Sequence, residues 1–203
     1  MFVTFEGPDG AGKTTAMRSV AAMLRESGLV VHTTRQPGDS SIGPSIREIL
    51  LGGQNVVPLA ELFLFLADRA QHVAEVVRPA LQRGEIVLCD RFADSTVVYQ
   101  GYARGLDVES LREMNSLATA GLVPDLTLLL AIDAEVARVR DSDGDRLDLE
   151  PIEFHRRVLN GFLAEAAREP LRWVIVDATH GPEVVARTCL TAIRERLAAV
   201  NRT

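Results

Sequence analysis

Along the chain, short apolar runs alternate with longer stretches in which apolar positions recur every three or four residues. Phe2 to Glu6, Leu29 to Thr33, Glu85 to Asp90, Leu126 to Ala131 and Trp173 to Asp177 read as strands. EIVLCD and LTLLLA are apolar almost throughout, which is the pattern of a strand covered on both faces. Thr14 to Glu26 places Met17, Val20, Ala21 and Leu24 on one helical face. Ile42 to Leu51 predicts a short helix closed by Gly52-Gly53, and Leu59 to Arg83 a long one closed by Gly84. Pro79 sits near the end of the long helix, where its ring and missing N–H kink or shorten it. A polar, glycine-dotted stretch follows Asp90 as far as Gly105. Val108 to Ala120, Ala134 to Arg140, Ile152 to Arg168 and Glu183 to Ala199 complete the helices. Strands alternating with helices point to an α/β fold with a parallel sheet. The economical architecture is one domain over residues 1–203, with five parallel strands and helices on both faces.

Composition narrows the class. Hydrophobic residues make up 47% and charged residues 25%, as in a globular domain. No apolar run reaches the roughly 18 residues that cross a bilayer. Met1 leads straight into a strand-like run without the basic start of a signal peptide, so the expected location is the cytoplasm. The net charge of −6 argues against a general nucleic-acid binder and for a small-molecule partner. Cys89 and Cys189 lie a hundred positions apart, with no CxxC and no ligand spacing among the histidines. That pattern argues against a zinc site or disulfide framework. Of the 22 basic residues, only Lys13 is a lysine. The arginine fork does not substitute for a compact, flexible ammonium.

Lys13 completes Gly7-Pro8-Asp9-Gly10-Ala11-Gly12-Lys13-Thr14, which fits GxxxxGK[ST] between a strand and a helix. Glycines let the loop curl so that backbone N–H groups point at phosphate oxygens, and the helix N-terminus adds partial positive charge. Lys13 reaches the β- and γ-phosphates, and the Thr14 hydroxyl ligates Mg²⁺. Thr15 extends the ATP-binding set. The motif implies a P-loop NTPase fold with nucleoside triphosphate bound, and leaves the acceptor open. A guanine-reading NKxD needs a second lysine, so a GTPase is excluded. Asp90, at the C-terminal end of a parallel strand, faces the ligand crevice and is placed to hold the metal with Thr14. Arg91 beside it offers a bidentate phosphate clamp.

Four segments carry a family resemblance: GPDGAGKTT, TRQPG at Thr34 to Gly38, DRFADSTVVYQG at Asp90 to Gly101, and DRLDLEPIEFHRRVLNGF at Asp145 to Phe162. Together, and in this order over nearly the whole chain, they resemble bacterial thymidylate kinases. The resemblance implies an enzyme making dTDP from dTMP with Mg-ATP, working as a homodimer. Phe65 and Arg69, four apart on one helix face, then correspond to the ring that stacks on thymine and the arginine that bonds its carbonyl. Arg91 corresponds to the clamp on the acceptor phosphate, with Arg35, Pro37 and Arg47 lining the same pocket. Ser95, Thr96 and Gln100 correspond to positions near the base. Tyr99 matches the tyrosine packed under the sugar, which crowds a 2′-hydroxyl. Asp9 matches an acid that accepts from the 3′-hydroxyl, which explains a carboxylate inside a phosphate loop. The chain departs from the family where Gln36 replaces Glu and Phe92 replaces Tyr or His.

Phosphoryl transfer needs a cation over the transferring group. Pro8, Asp9, Gly10 and Ala11 supply none. The bacterial pattern places it in a lid, expected here at about 138–150, with Arg140 or Arg146 closing over ATP. Two other readings compete. Another nucleoside monophosphate or deoxynucleoside kinase would differ in acceptor preference. A P-loop switch ATPase that binds a macromolecule would hydrolyse ATP without a nucleotide acceptor.

Overall fold

The computed structural model describes residues 1–52, 55–140 and 150–200. Five parallel strands form one sheet in the order β2-β3-β1-β4-β5. They are β1 (Phe2–Glu6), β2 (Val31–Arg35), β3 (Ile86–Asp90), β4 (Leu126–Ala131) and β5 (Trp173–Asp177). β1 pairs with β3 on one side, in the register Phe5 opposite Asp90, and with β4 on the other, Phe5 opposite Leu128. β1 and β3 are buried along their whole length. The loops leaving their C-terminal ends therefore meet over the middle of the sheet, where ligands of open parallel sheets bind.

Helix α1 (Lys13–Glu26) packs Met17, Val20, Ala21 and Leu24 into the main core with Val3, Phe5 and Leu128. α9 (Pro182–Val200) closes the same side through Ala186, Cys189 and Ile193. Cys89 and Cys189 are both buried and free, so each fills apolar space. α2 (Gly43–Leu51) and α3 (Pro58–His72) follow β2. The long helix expected to end at Arg83 widens by one π-type turn over Val73–Val77 and resumes as α4 (Arg78–Gln82). Pro79 follows the widened turn directly, where its ring and missing N–H interrupt the regular hydrogen-bond ladder of the helix.

Two expectations need correction. β2 runs Val31–Arg35 rather than Leu29–Thr33, because its pairing with β3 sets Val31 opposite Ile86 and Arg35 opposite Asp90. Val30 remains exposed. The stretch after Asp90 is helical: α5 (Ala93–Thr96) continues into a π-helical segment over Val97–Ala103. Widened turns of this kind are frequent at functional sites. α6 (Val108–Ala118), α7 (Ala134–Arg140) and α8 (Ile152–Arg168) complete the layers. Val158 and Phe162 of α8 pack on Val98, Tyr99 and Ala103. A Cβ on Gly161 would sit 2.8 Å from the Tyr102 Cβ, so only glycine lets these two helices approach. The expected lid lies mostly outside the described residues, and Arg146 with it.

Candidate active site

The loop from Gly7 to Gly12 joins β1 to α1. Gly10 has φ +74°, and a Cβ there would lie 2.2 Å from the Ala137 carbonyl oxygen, so the loop is tucked under α7. Lys13, 7% exposed, donates to the carbonyls of Gly7 (3.1 Å) and Pro8 (2.7 Å). Burial and the nearby Arg91 lower its pKa. The Thr14 hydroxyl, in the first turn of α1, donates to Asp90 Oδ2 at the C-terminal end of β3. These neighbouring oxygens suit a Mg²⁺ ion, which keeps several waters and leans on substrate phosphates. Among the described residues no cluster of three or more His, Cys, Asp or Glu side chains forms a stand-alone metal cage.

Arg91 is a non-glycine residue at φ +65°. Side chains at such φ persist where surroundings over-determine them, often at functional sites. Here the Arg91 N–H donates to the Phe5 carbonyl at 3.0 Å. Its guanidinium bonds Asp9 Oδ1, the Tyr99 hydroxyl (3.0 Å) and Ser95 Oγ (3.1 Å), and lies over the Tyr99 ring. The Tyr99 hydroxyl in turn donates to Asp9 Oδ2 at 2.7 Å. Burial alone would raise the Asp9 pKa, but Arg91 and Lys13 hold it well below the usual carboxylate range. The P-loop is thus bonded directly to the segment after β3.

Glu6, the last residue of β1, is fully buried and fastens this segment from below. Its carboxylate accepts from the Phe92 N–H (2.8 Å) and the Ser95 hydroxyl (2.6 Å). Burial and the nearby Asp94 push its pKa up to about 7. Sequence reasoning missed Glu6, although a charge ending an apolar strand just before a phosphate loop was a usable signal. Ser95 bonds both Glu6 and Arg91, so in this arrangement it positions the clamp.

A cleft of about 580 Å³ runs along the P-loop and is bordered by Asp90, Arg91, Arg35 and Arg47. A smaller cavity of about 100 Å³ adjoins it, sharing Asp9, Gln36, Arg47 and Arg91. Pro37, Phe65, Ser95, Thr96, Tyr99 and Gln100 line that cavity together with Arg69. Arg69 is 2% exposed and spends four N–H bonds on neutral acceptors: Gln36 Oε1 (2.9 Å), Thr96 Oγ (2.8 Å), Asn115 Oδ1 and the Phe92 carbonyl (3.0 Å). One Nη2 proton of its five remains for the cavity. Burial lowers its pKa to about 10, so it stays a cation at neutral pH. Gln36, where a charge would have paired with Arg69, accepts from it as a neutral amide. Asn115 gave no signal in the sequence, because it reaches the site from α6 only through the fold.

Arg35 is exposed and bonds Asp39 at 3.2 Å, whereas Arg47 donates to the Pro37 carbonyl at 2.9 Å and borders both cavities. Arg140, at the end of α7, donates to the carbonyls of Ala178 (2.8 Å) and Thr179 (3.3 Å). It borders the main cleft and a further groove of about 440 Å³ beside Gly12, Thr15 and His180.

The family model described as thymidylate kinase matches residues 5–188. A thymidylate kinase of Synechococcus sp. (strain JA-3-3Ab) is 49% identical over 199 residues, covering 98% of both chains. One from Thermomicrobium roseum is 50% identical over 198 residues, covering 96% of this chain and 94% of its own. The crystal structure of thymidylate kinase from Ehrlichia chaffeensis superposes with a TM-score of 0.79 at 33% identity, over 95% of this chain and 98% of that one. Sequence and fold agree, and the chain belongs to the thymidylate kinase family.

Proposed function

We propose that the protein transfers the γ-phosphoryl group of ATP to dTMP, giving dTDP and ADP. The observation that supports it best is the Arg91–Asp9–Tyr99 cluster, which joins the phosphate loop to a narrow side cavity holding one buried cation. A monophosphate seated on Arg91 would direct its base toward Phe65, Arg69 and Gln100 and its sugar toward Tyr99 and Asp9. An oxygen of that phosphate then attacks the γ-phosphorus in line, the bond to the β-bridging oxygen breaks, and ADP leaves. Lys13 and the loop N–H groups hold the donor phosphates. A Mg²⁺ ion, held through Thr14 and Asp90, would neutralise charge on them. Arg140, or Arg146 outside the described residues, supplies the cation over the transferring group.

The same reading places the enzyme in the cytoplasm with its nucleotide substrates and makes it a homodimer. Leu59 and Phe63, one turn apart on α3, are 53% and 54% exposed, and Leu117 on neighbouring α6 is 83% exposed. That apolar surface suits a second copy. ADP release with Mg-ATP and a panel of dTMP, dUMP, dCMP, UMP, AMP, GMP and thymidine tests the function. Preference for dTMP of tenfold or more over the ribonucleotides is expected. Preference for another nucleotide would move the assignment to a different nucleotide kinase. Turnover indifferent to every acceptor would favour a switch ATPase.

A further inference from the structure

Glu61, in the first turn of α3, touches neither cavity yet is 0% exposed. Its Oε1 accepts from Gln100 Nε2 at 2.9 Å and from Arg104 Nε at 2.9 Å, and Arg104 Nη2 reaches Oε2 at 3.4 Å. Arg104 is itself held over the Phe154 ring and bonded to Glu150 at 3.0 Å. Ion-paired in this way, the Glu61 carboxylate offers only acceptors. The Gln100 amide is therefore fixed in one of its two orientations. Reversed, its Oε1 would stand against a carboxylate oxygen at hydrogen-bond distance, two acceptors with no proton between them. With Nε2 turned to Glu61, Oε1 is left for the cavity, and among the described residues nothing donates to it.

We infer that Glu61 is a positioning residue that sets base specificity, by holding Gln100 so that the cavity presents an acceptor beside the cationic donor Arg69. This rests on the reading of that cavity as the base pocket and deepens it. An acceptor beside a donor complements a pyrimidine with a ring N3–H next to a carbonyl, as in thymine or uracil. Cytosine offers the reverse, a bare N3 beside an amino group, and would leave Gln100 Oε1 and the Arg69 N–H facing like groups. Sites built to bond a substrate N–H reject analogues lacking it strongly, because buried groups are then left unpaired.

The test compares kcat/KM for dTMP and dCMP in the full-length protein and two variants. Glu61→Met/Arg104→Met replaces the buried ion pair by an apolar pair of similar size, a change proteins often tolerate, and releases the Gln100 amide. The dTMP-to-dCMP ratio should fall at least tenfold. Glu61→Lys/Arg104→Glu reverses the polarity, so that position 61 donates to Gln100 and Nε2 turns to the cavity. There the ratio should fall further, with kcat/KM for dCMP rising in absolute terms. A purely structural role would lower both substrates together. A ratio within threefold of the parent in whichever variant folds overturns the inference. A parent that takes dCMP as readily as dTMP overturns the base-pocket reading itself.

Discussion

Arg69→Lys keeps the charge and removes the fork. Four acceptors lie around the guanidinium, contributed by Gln36, Thr96, Asn115 and the Phe92 backbone. An ammonium has three N–H groups radiating from one atom, so at least one acceptor loses its partner. The other three cannot all be reached from a single point in the positions the planar group serves. An unsatisfied buried acceptor costs roughly 1–3 kcal/mol, and the Thr96 hydroxyl can rotate to relieve part of the loss. The expected destabilisation is about 2–4 kcal/mol, read as a lowered urea midpoint at unchanged m. For a domain of this size it corresponds to a fall in Tm of roughly 5–15 °C. The cavity loses its remaining Nη2 proton as well, so kcat/KM for dTMP should drop at least tenfold with little change in ATP affinity. A variant within about 0.5 kcal/mol of the parent, with normal kcat/KM, would refute both the count of bonds and the role assigned to the fifth proton.

Two further expectations follow from buried groups. The carboxyl of Glu6 holds its proton up to about pH 7 in the folded state and to about 4.5 in the unfolded chain. The folded form thus binds the proton more tightly, and this contribution to stability is full below about pH 4.5 and lost as pH rises through 7. Glu6→Gln should flatten the decline between pH 5 and pH 8 in urea melts, and a pH profile parallel to the parent's would sink the assignment. Gly10→Ala puts a Cβ against the Ala137 carbonyl at φ +74°. The phosphate loop must then lift from α7, and calorimetry should show ATP binding at least tenfold weaker. Unchanged affinity would show that the loop does not depend on that close approach.

The strands β1, β4 and β5 were legible to the residue, because apolar runs bounded by polar or breaker residues have few other uses. β2 was not. Leu29 and Val30 look like strand residues, but pairing with β3 selects the more polar Val31–Arg35, and no local signal carries a register. The helical segment over Val97–Ala103 was hidden for another reason. Tyr99, Gln100 and Gly101 read as polar and glycine-dotted, yet a Cβ on Gly101 would sit 3.0 Å from Leu111 and Val108, so its smallness serves packing. At the site, residues next to one another in the chain, from Gly7 to Thr15 and from Asp90 to Gln100, could be found from motif and order. Glu6 carried a faint local signal. Glu61 and Asn115 act from helices that only the fold brings close, and their roles lie in what they do to Gln100 and Arg69.

The cations of the phosphate loop and its neighbour are already engaged: Lys13 with two carbonyls of its own loop, Arg91 with Asp9 and Tyr99. An arriving anion therefore exchanges oxygens instead of meeting bare charge. The gain from charge alone is the small difference between two similar sets of bonds. Inorganic phosphate or sulfate can still take the loop N–H groups, but gains less from cations that are already paired than from bare ones. A whole nucleotide adds contacts from its sugar and base, and those tip the balance. Self-pairing of the cations thus shifts the weight of recognition from charge alone to the contacts made by the rest of the nucleotide.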